Sequence, residues 1–419
     1  RSSDLRFELL DGTKLDHEIE RYDPAAGSLI AWVRLPSWRF TSRMDFLLYY
    51  GKPSLTASEA NPAGVWRGYL AVWDARTGAD RTGNGRSLTP TGVGPGSLIG
   101  DCGSFNGNAV ATQASAGWLA NNAAITVQAL TKPDPTMVGS SHGILTQGTM
   151  TGGDASAGLI LQYLASNGGA GNVVHFKVRC SDGATQVMSA AGTHSDRRQL
   201  LHAVWKQGAA PSIFINGALS PASASDVARS GTTQNATGGL CLGAGARDPA
   251  TGGWVGLIDE VRAAGSARSA AWIATEHANL LEEQLFYGLG GEDRPTDANA
   301  APVALPSTVT TPAGSNVDID LLAACDDPDP GAVLTVVDFG APSHGVATVV
   351  GGKARYTPTT GYVGRDGFSY TVSDGAKRST ALVAVDVTLP VLRARDDTAN
   401  AVSGQAQTLQ VLANDEGTS

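Results

Sequence analysis

Residues 201–217 read Leu201-His202-Ala203-Val204-Trp205-Lys206-Gln207-Gly208-Ala209-Ala210-Pro211-Ser212-Ile213-Phe214-Ile215-Asn216-Gly217. Two apolar runs of strand length, Leu201–Trp205 and Ile213–Ile215, are separated by a Gly- and Pro-containing stretch. The second ends on Asn-Gly, the pair that accepts the positive φ angles of a type I′ turn, which is the strongest local hairpin signal a sequence carries. Working outward, the same grammar recurs at Ala124–Leu130, Gly158–Tyr163 and Val173–Val178, and towards the start at Asp4–Phe7, Leu29–Val33 and Phe46–Gly51, with an Asp11-Gly12 turn between the first two. Each run is too short for a helix and is bounded by Gly, Pro or Asp, so antiparallel strands follow. The fold class expected is all-β: serial β-sandwiches with one short helix near 268–285. That helix has Ser266 or Ser269 as N-cap and a stripe of Trp272, Ile273, Leu280 and Leu281.

Five segments are expected. Residues 1–95 form a partial β-rich domain, 96–290 a jelly roll, 291–300 a linker and 301–390 an Ig-like sandwich with strands at 317–321, 333–339, 345–350, 354–357, 368–372 and 381–387. Residues 391–419 begin a further copy of that sandwich. The last expectation rests on an internal repeat, Leu321-Leu322-Ala323-Ala324-Cys325-Asp326 against Val411-Leu412-Ala413-Asn414-Asp415-Glu416. The linker is read from the Gly-rich run Gly288–Pro295.

Composition narrows the function. The 419 residues include 52 Gly and 20 Pro, only 16% are charged, and the formal net charge is −9, without a Lys/Arg cluster along the chain. A chain of that charge lacks the positive field that attracts nucleic acid or anionic lipid, so neither is expected as a partner. No apolar run is long enough to span a bilayer. The chain opens Arg1-Ser2-Ser3, without an initiator Met or signal peptide, and is therefore expected to be a processed or excised piece of a secreted protein. Cys102, Cys180, Cys241 and Cys325 lack metal-ligand spacing, and any pairing among the first three leaves one thiol over.

Three resemblances run in series. Asp4-Leu5-Arg6-Phe7, His17-Glu18-Ile19-Glu20, Trp32-Val33, Tyr49-Tyr50-Gly51 and Ala71-Val72-Trp73 look like a domain of unknown function common in bacterial surface proteins. Gly103–Gly107, the 201–205 and 213–217 runs, and Gly256-Leu257-Ile258-Asp259-Glu260-Val261-Arg262 resemble a laminin-G-like, concanavalin A-like jelly roll; the match implies a module that binds glycans or proteins, sometimes with Ca²⁺. Ala301–Ala304, Asp327-Pro328-Asp329, Tyr356-Thr357-Pro358, Gly364–Tyr370 and Ser373-Asp374-Gly375 resemble a cadherin-like, Ig-type adhesin repeat. There Ala324-Cys325 stands where the family usually has Asn-Asp, so a thiol replaces a hard oxygen ligand.

For metal, the acids Asp326, Asp327, Asp329, Asp366, Asp374, Asp396 and Asp397 would be the Ca²⁺ ligands, Ca²⁺ being the one cofactor suggested; Asp is equally the commonest turn-former. Catalysis finds little. Gly139-Ser140-Ser141-His142-Gly143 fits a nucleophile-elbow pattern but has strands on both sides. Asp259 and Glu260, as neighbours on a strand, should face opposite ways. His175 and His202 read as satisfied strand imidazoles, and most tryptophans as core. The expectation is a non-enzymatic extracellular adhesion protein that binds a glycan or surface protein, with the Ig-like repeats as spacers. A self-assembling fibre or surface layer, built through sheet edges or truncated modules, is the alternative, and a carbohydrate-active hydrolase the third reading.

Overall fold

The computed structural model describes residues 4–36, 44–51, 57–135, 137, 141–148, 158–164, 173–192, 197–225, 227–234, 239–244, 252–282 and 299–389. The protein is all-β, and the chain divides into two compact units, 1–277 and 278–419. The linker run at 288–295 and the further repeat at 391–419 lie outside the described residues.

The first unit is a sandwich of two eight-stranded sheets. One runs Ala218–Leu219, Ser212–Ile215, Gln199–Lys206, Ala124–Pro133, Val255–Ala264, Cys102–Asn106, Gly94–Gly96, with Tyr69–Trp73 also paired to Val255–Ala264. The other runs Ala222–Ser225, Gly183–Ser189, Val173–Cys180, Leu159–Leu164, His142–Gln147, Leu240–Leu242, Val110–Gln113, Thr89–Thr91. The hairpin signalled by Asn216-Gly217 is present: Asn216 has φ +49 and Gly217 φ +80, and Phe214 pairs with Leu219. A Cβ at Gly217 would also come within 2.9 Å of His277 Cβ, so both conformation and space require glycine.

Alternation explains the core. Leu159, Leu161 and Tyr163, with Val174, Phe176 and Val178, point between the sheets and meet Trp73, Val127, Leu201, Trp205, Trp254 and Ile258. The boundary expected near residue 95 does not divide these sheets. Tyr69–Trp73 extends the first sheet and Thr89–Thr91 the second, because their apolar residues (Ala71, Trp73, Ala75, Leu88) are spaced to fill this core.

On the outer side of the first sheet lie two smaller pieces. The helix expected at 268–285 runs Ala270–Leu281, with Ser269 Oγ accepting from Trp272 N; it seals Val204 and Phe214 beneath Ile273 and Trp272. A hairpin, His17–Asp23 with Ser28–Val33, and the short helix Pro62–Val65 supply Trp32, Val65 and Trp66, which pack on Tyr69 and Val72.

The second unit carries an Ig-like arrangement of seven strands. Ser307–Pro312, Arg378–Thr388, Gly364–Ser373 and Thr335–Phe339 make one sheet, in which Ser307–Pro312 runs parallel to its neighbour; Val317–Ile319, Lys353–Pro358 and Gly345–Val350 make the other. Ile319, Tyr356, Phe368, Tyr370, Val372, Val383 and Val385 fill the space between them.

Candidate functional site

The seam between the outer hairpin and the first sheet begins with a break in alternation. Opposite Gln128 and Leu130 stand Arg262 and Asp259, so Glu260 and Val261 together face Ala129, and Glu260 takes φ +51. This is a β-bulge. It shifts the parity of the strand: Ile258 and Val261 both enter the core, leaving Asp259 and Arg262 on the outer side. The expectation that Asp259 and Glu260 part company is thereby corrected, since the inserted residue frees Glu260 to reach Arg262 on the same side.

Arg262 is only 2% exposed. It pairs with Glu260 and with Glu276 of the Ala270–Leu281 helix. Its guanidinium lies 4.5 Å from the Trp32 ring centroid and 4.6 Å from that of Trp66. Two carboxylates and two indoles thus compensate one buried cation. Around it the other acids are perturbed. Burial, then the charge of Glu260, lifts Asp259 to about 9, while Asp259 accepts from Ile99 N at 3.1 Å and Glu260 N at 2.9 Å. Burial, then Glu260, lifts Glu20 to about 8, and Trp32 Nε1 donates to it at 2.6 Å.

The seam opens to solvent in a cleft of about 350 Å³ lined by Glu18, Ile19, Glu20, Tyr22, Ser58, Ala60, Pro62 and Arg81. Glu18 accepts from Trp66 Nε1 at 2.5 Å and pairs with Arg81 at 3.3 Å; Arg81 also reaches Asp74 at 3.0 Å. The cleft therefore offers a carboxyl held largely neutral near pH 7, an ion-paired carboxylate, a guanidinium, a serine hydroxyl and an aromatic ring. Hydroxyl-rich ligands need such an assembly of donors and acceptors. No pattern in the sequence marked it, because its residues come from three separated segments.

A second polar assembly crosses the second sheet. Ser141 Oγ donates to Gln162 Oε1 at 2.7 Å, Gln162 Nε2 meets His175 Nδ1 at 3.0 Å, and His175 Nε2 meets Gln186 Oε1 at 3.0 Å. The chain has one consistent direction, with each amide oxygen accepting and His175 carrying its proton on Nε2; this tautomer is inferred from the partners. Gln162 and His175 are each 2% exposed, so the ladder is a satisfied buried network. Ser141 thus gives its proton to an amide oxygen, a group that cannot act as a base. Gly139 and Ser140 of the same motif lie outside the described residues. His202 is likewise held on Gln128 Oε1 at 3.1 Å, and its pKa falls to about 3 through burial, then the Arg262 charge.

The aspartates of the second unit are dispersed. Asp366 and Asp374 flank opposite ends of Gly364–Ser373, about 8 residues or roughly 26 Å apart at strand rise. Asp366 accepts from Ser343 N, His344 N and Tyr356 Oη. Asp374 takes the Asn299 amide and the Ala376 and Lys377 N–H groups, which hold its pKa below the usual carboxylate range. Asp329 accepts from Ala300 N, so these last two clasp the entry of the sandwich. Asp326 and Asp327 accept from the next N–H groups of their own turn. Among the described residues no three His, Cys, Asp or Glu side chains gather as a metal would require. Cys325 turns its Sγ to the Leu321 carbonyl at 3.1 Å and lies 3.6 Å from Tyr370 Oη. Asp396 and Asp397 lie outside the described residues. All four cysteines are free thiols.

No described helix is long and apolar enough to cross a membrane. A comparison with curated proteins finds no match. Among solved structures, similar chains include domain 4 of AbnA, a GH43 extracellular arabinanase from Geobacillus stearothermophilus, in complex with arabinotriose. It is 16% identical, with 49% of this chain and 96% of that one covered and a TM-score of 0.38. The Ruminococcus gnavus IT-sialidase CBM40 bound to alpha2,3 sialyllactose is 18% identical, with 36% and 82% covered and a TM-score of 0.29. The binding domain of botulinum neurotoxin serotype G is 10% identical, with 75% and 78% covered and a TM-score of 0.39. Family profiles match two stretches: residues 1–80 match a Domain of unknown function (DUF2341) and residues 299–386 a Bacterial Ig domain.

Proposed function

We propose that this chain is a non-enzymatic extracellular binding protein. The outer hairpin packed on its central sandwich, which is of the laminin-G-like or concanavalin A-like kind, receives a glycan at the cleft between Glu18, Glu20, Tyr22, Ser58 and Arg81, and its Ig-type repeat acts as a spacer. The observation that carries this reading is the cleft itself: an open, polar concavity at the outer hairpin, with one aromatic ring and several donors and acceptors.

The same geometry argues against hydrolysis. Glu18 and Glu20 are each tied to an indole N–H, and Glu18 also to Arg81. Calorimetry of the full chain against a panel of oligosaccharides, with and without Ca²⁺, tests the reading. Saturable binding that Tyr22→Ala weakens supports it; no heat at millimolar glycan would overturn it in favour of self-assembly.

A further inference from the structure

The polar atoms of the cleft divide into those the fold has already engaged and those it leaves to a ligand. Both oxygens of Glu18 are engaged, Oε2 by Trp66 Nε1 and Oε1 by Arg81. Arg81, the sole cation among the described residues lining the cleft, is shared between Glu18 at 3.3 Å and Asp74 at 3.0 Å. Two carboxylates on one guanidinium leave that corner negative before Glu20 is counted. Cations on the surrounding elements are paired as well: Lys14 with Glu59 at 3.2 Å, and Arg262 with Glu260 and Glu276.

What remains is a set of acceptors. Glu20 Oε2 accepts from Trp32 Nε1 at 2.6 Å, whereas Oε1 makes no hydrogen bond among the described residues and is not sealed from solvent. A Cβ on Gly100 would stand 2.1 Å from this oxygen, so glycine at that position gives it room. Tyr22 Oη has no partner among the described residues, and Ser58 Oγ, which accepts from Ala60 N at 3.2 Å, keeps a lone pair. A ligand carboxylate or phosphate would find no unneutralised cation here. A primary ammonium, with three donors and no acceptor, fits both the open oxygens and the excess negative charge.

Resting on the reading of this cleft as a glycan site, we propose that its ligand carries an amino sugar whose unsubstituted ammonium group docks on Glu20 Oε1, with Tyr22 and Ser58 as accompanying acceptors. Docking a cation there moves a proton. In the free cleft burial, then the Glu260 charge, lifts Glu20 to about 8. The charged and titratable groups facing it are Glu18 on its own strand, Asp259, Glu260 and Arg262 across the seam, and the Cys102 thiol. Arg262, the one cation among them, is held by its own acids. The ammonium supplies the missing opposite charge, so the Glu20 carboxyl ionises as the ligand binds and its proton passes to solvent.

Titration calorimetry of the full chain with a glucosamine trisaccharide and its N-acetylated counterpart, between about pH 5 and about pH 6 in buffers of different ionisation enthalpy, tests the assignment. Over that range the sugar amine and Glu20 both carry their protons before binding. The amine form should therefore release about one proton and gain about tenfold in affinity per pH unit, while the N-acetyl form does neither. At about pH 6 the amine form should bind at least about tenfold more tightly. Glu20→Gln keeps an acceptor for Trp32 Nε1, so the fold should hold; it should abolish the proton release and bring the two sugars within about threefold of each other. Equal affinities, binding without proton release, or a preference that survives Glu20→Gln would overturn the proposal and leave the glycan reading standing. Failure of both trisaccharides to bind would also overturn it, and only silence across the whole oligosaccharide panel would take the glycan reading with it.

Discussion

Arg262→Met tests whether the outer hairpin is held by a single buried cation. The substitution preserves much of the side chain's length and removes its charge. It strands Glu260 and Glu276, which pair with Arg262 in the native seam, and deletes both indole contacts. Removing one partner of a buried ion pair costs about 3–5 kcal/mol, since the remaining charge stays desolvated. The lost cation–π contacts add to this, while protonation of the stranded acids gives part of it back. For a unit of this size each kcal/mol moves the melting temperature by about 2–4 °C, so a fall of roughly 6–20 °C at pH 7 is expected. The fall should shrink at pH 5, where Glu260, whose pKa is raised by burial, takes up a proton more readily. Differential scanning calorimetry of Arg262→Met and of the triple variant with Glu260→Leu and Glu276→Leu separates charge from packing. The triple variant should recover most of the loss, because replacing a whole buried ion cluster with apolar groups is close to neutral. A single variant melting within about 2 °C of the parent, or a triple variant no better than the single, would refute the reasoning.

Further outcomes follow from the same geometry. Glu20 and Asp259 have folded pKa values raised to about 8 and about 9. The folded state therefore holds protons the unfolded chain has lost, and stability present at low pH drains away as pH rises through 8 to 9. His202, lowered to about 3, acts oppositely below its unfolded pKa of about 6.5, so the net decline should be visible between pH 6.5 and 9. Thermal scans across that range should show it, and Glu20→Gln should flatten it; a melting temperature that rises over the range contradicts the assignment. In the second sheet, His175→Phe leaves Gln162 and Gln186 each short of a partner, an expected loss of about 2–5 kcal/mol in urea unfolding; a loss under about 1 kcal/mol would mean the ladder is solvated. For the Ig-type repeat, the carboxylates of Asp366 and Asp374 are already engaged by N–H and O–H donors. Chelation by EDTA should therefore change its stability by less than about 1 kcal/mol, and a larger drop would reveal bound Ca²⁺.

What the sequence discloses and what it withholds divide along physical lines. Strand positions were legible because period-two alternation and Gly, Pro and Asn-Gly punctuation are local properties; the expected runs at 124–130, 173–178, 345–350 and 381–387 fall inside observed strands. Sheet membership was not, since the pairing of Tyr69–Trp73 with Val255–Ala264 joins segments whose affinity exists only after folding. The bulge at Glu260 defeats alternation for a more specific reason. A non-glycine residue at positive φ carries no sequence mark, yet that one inserted residue puts Asp259 and Arg262 on the same side and creates the seam.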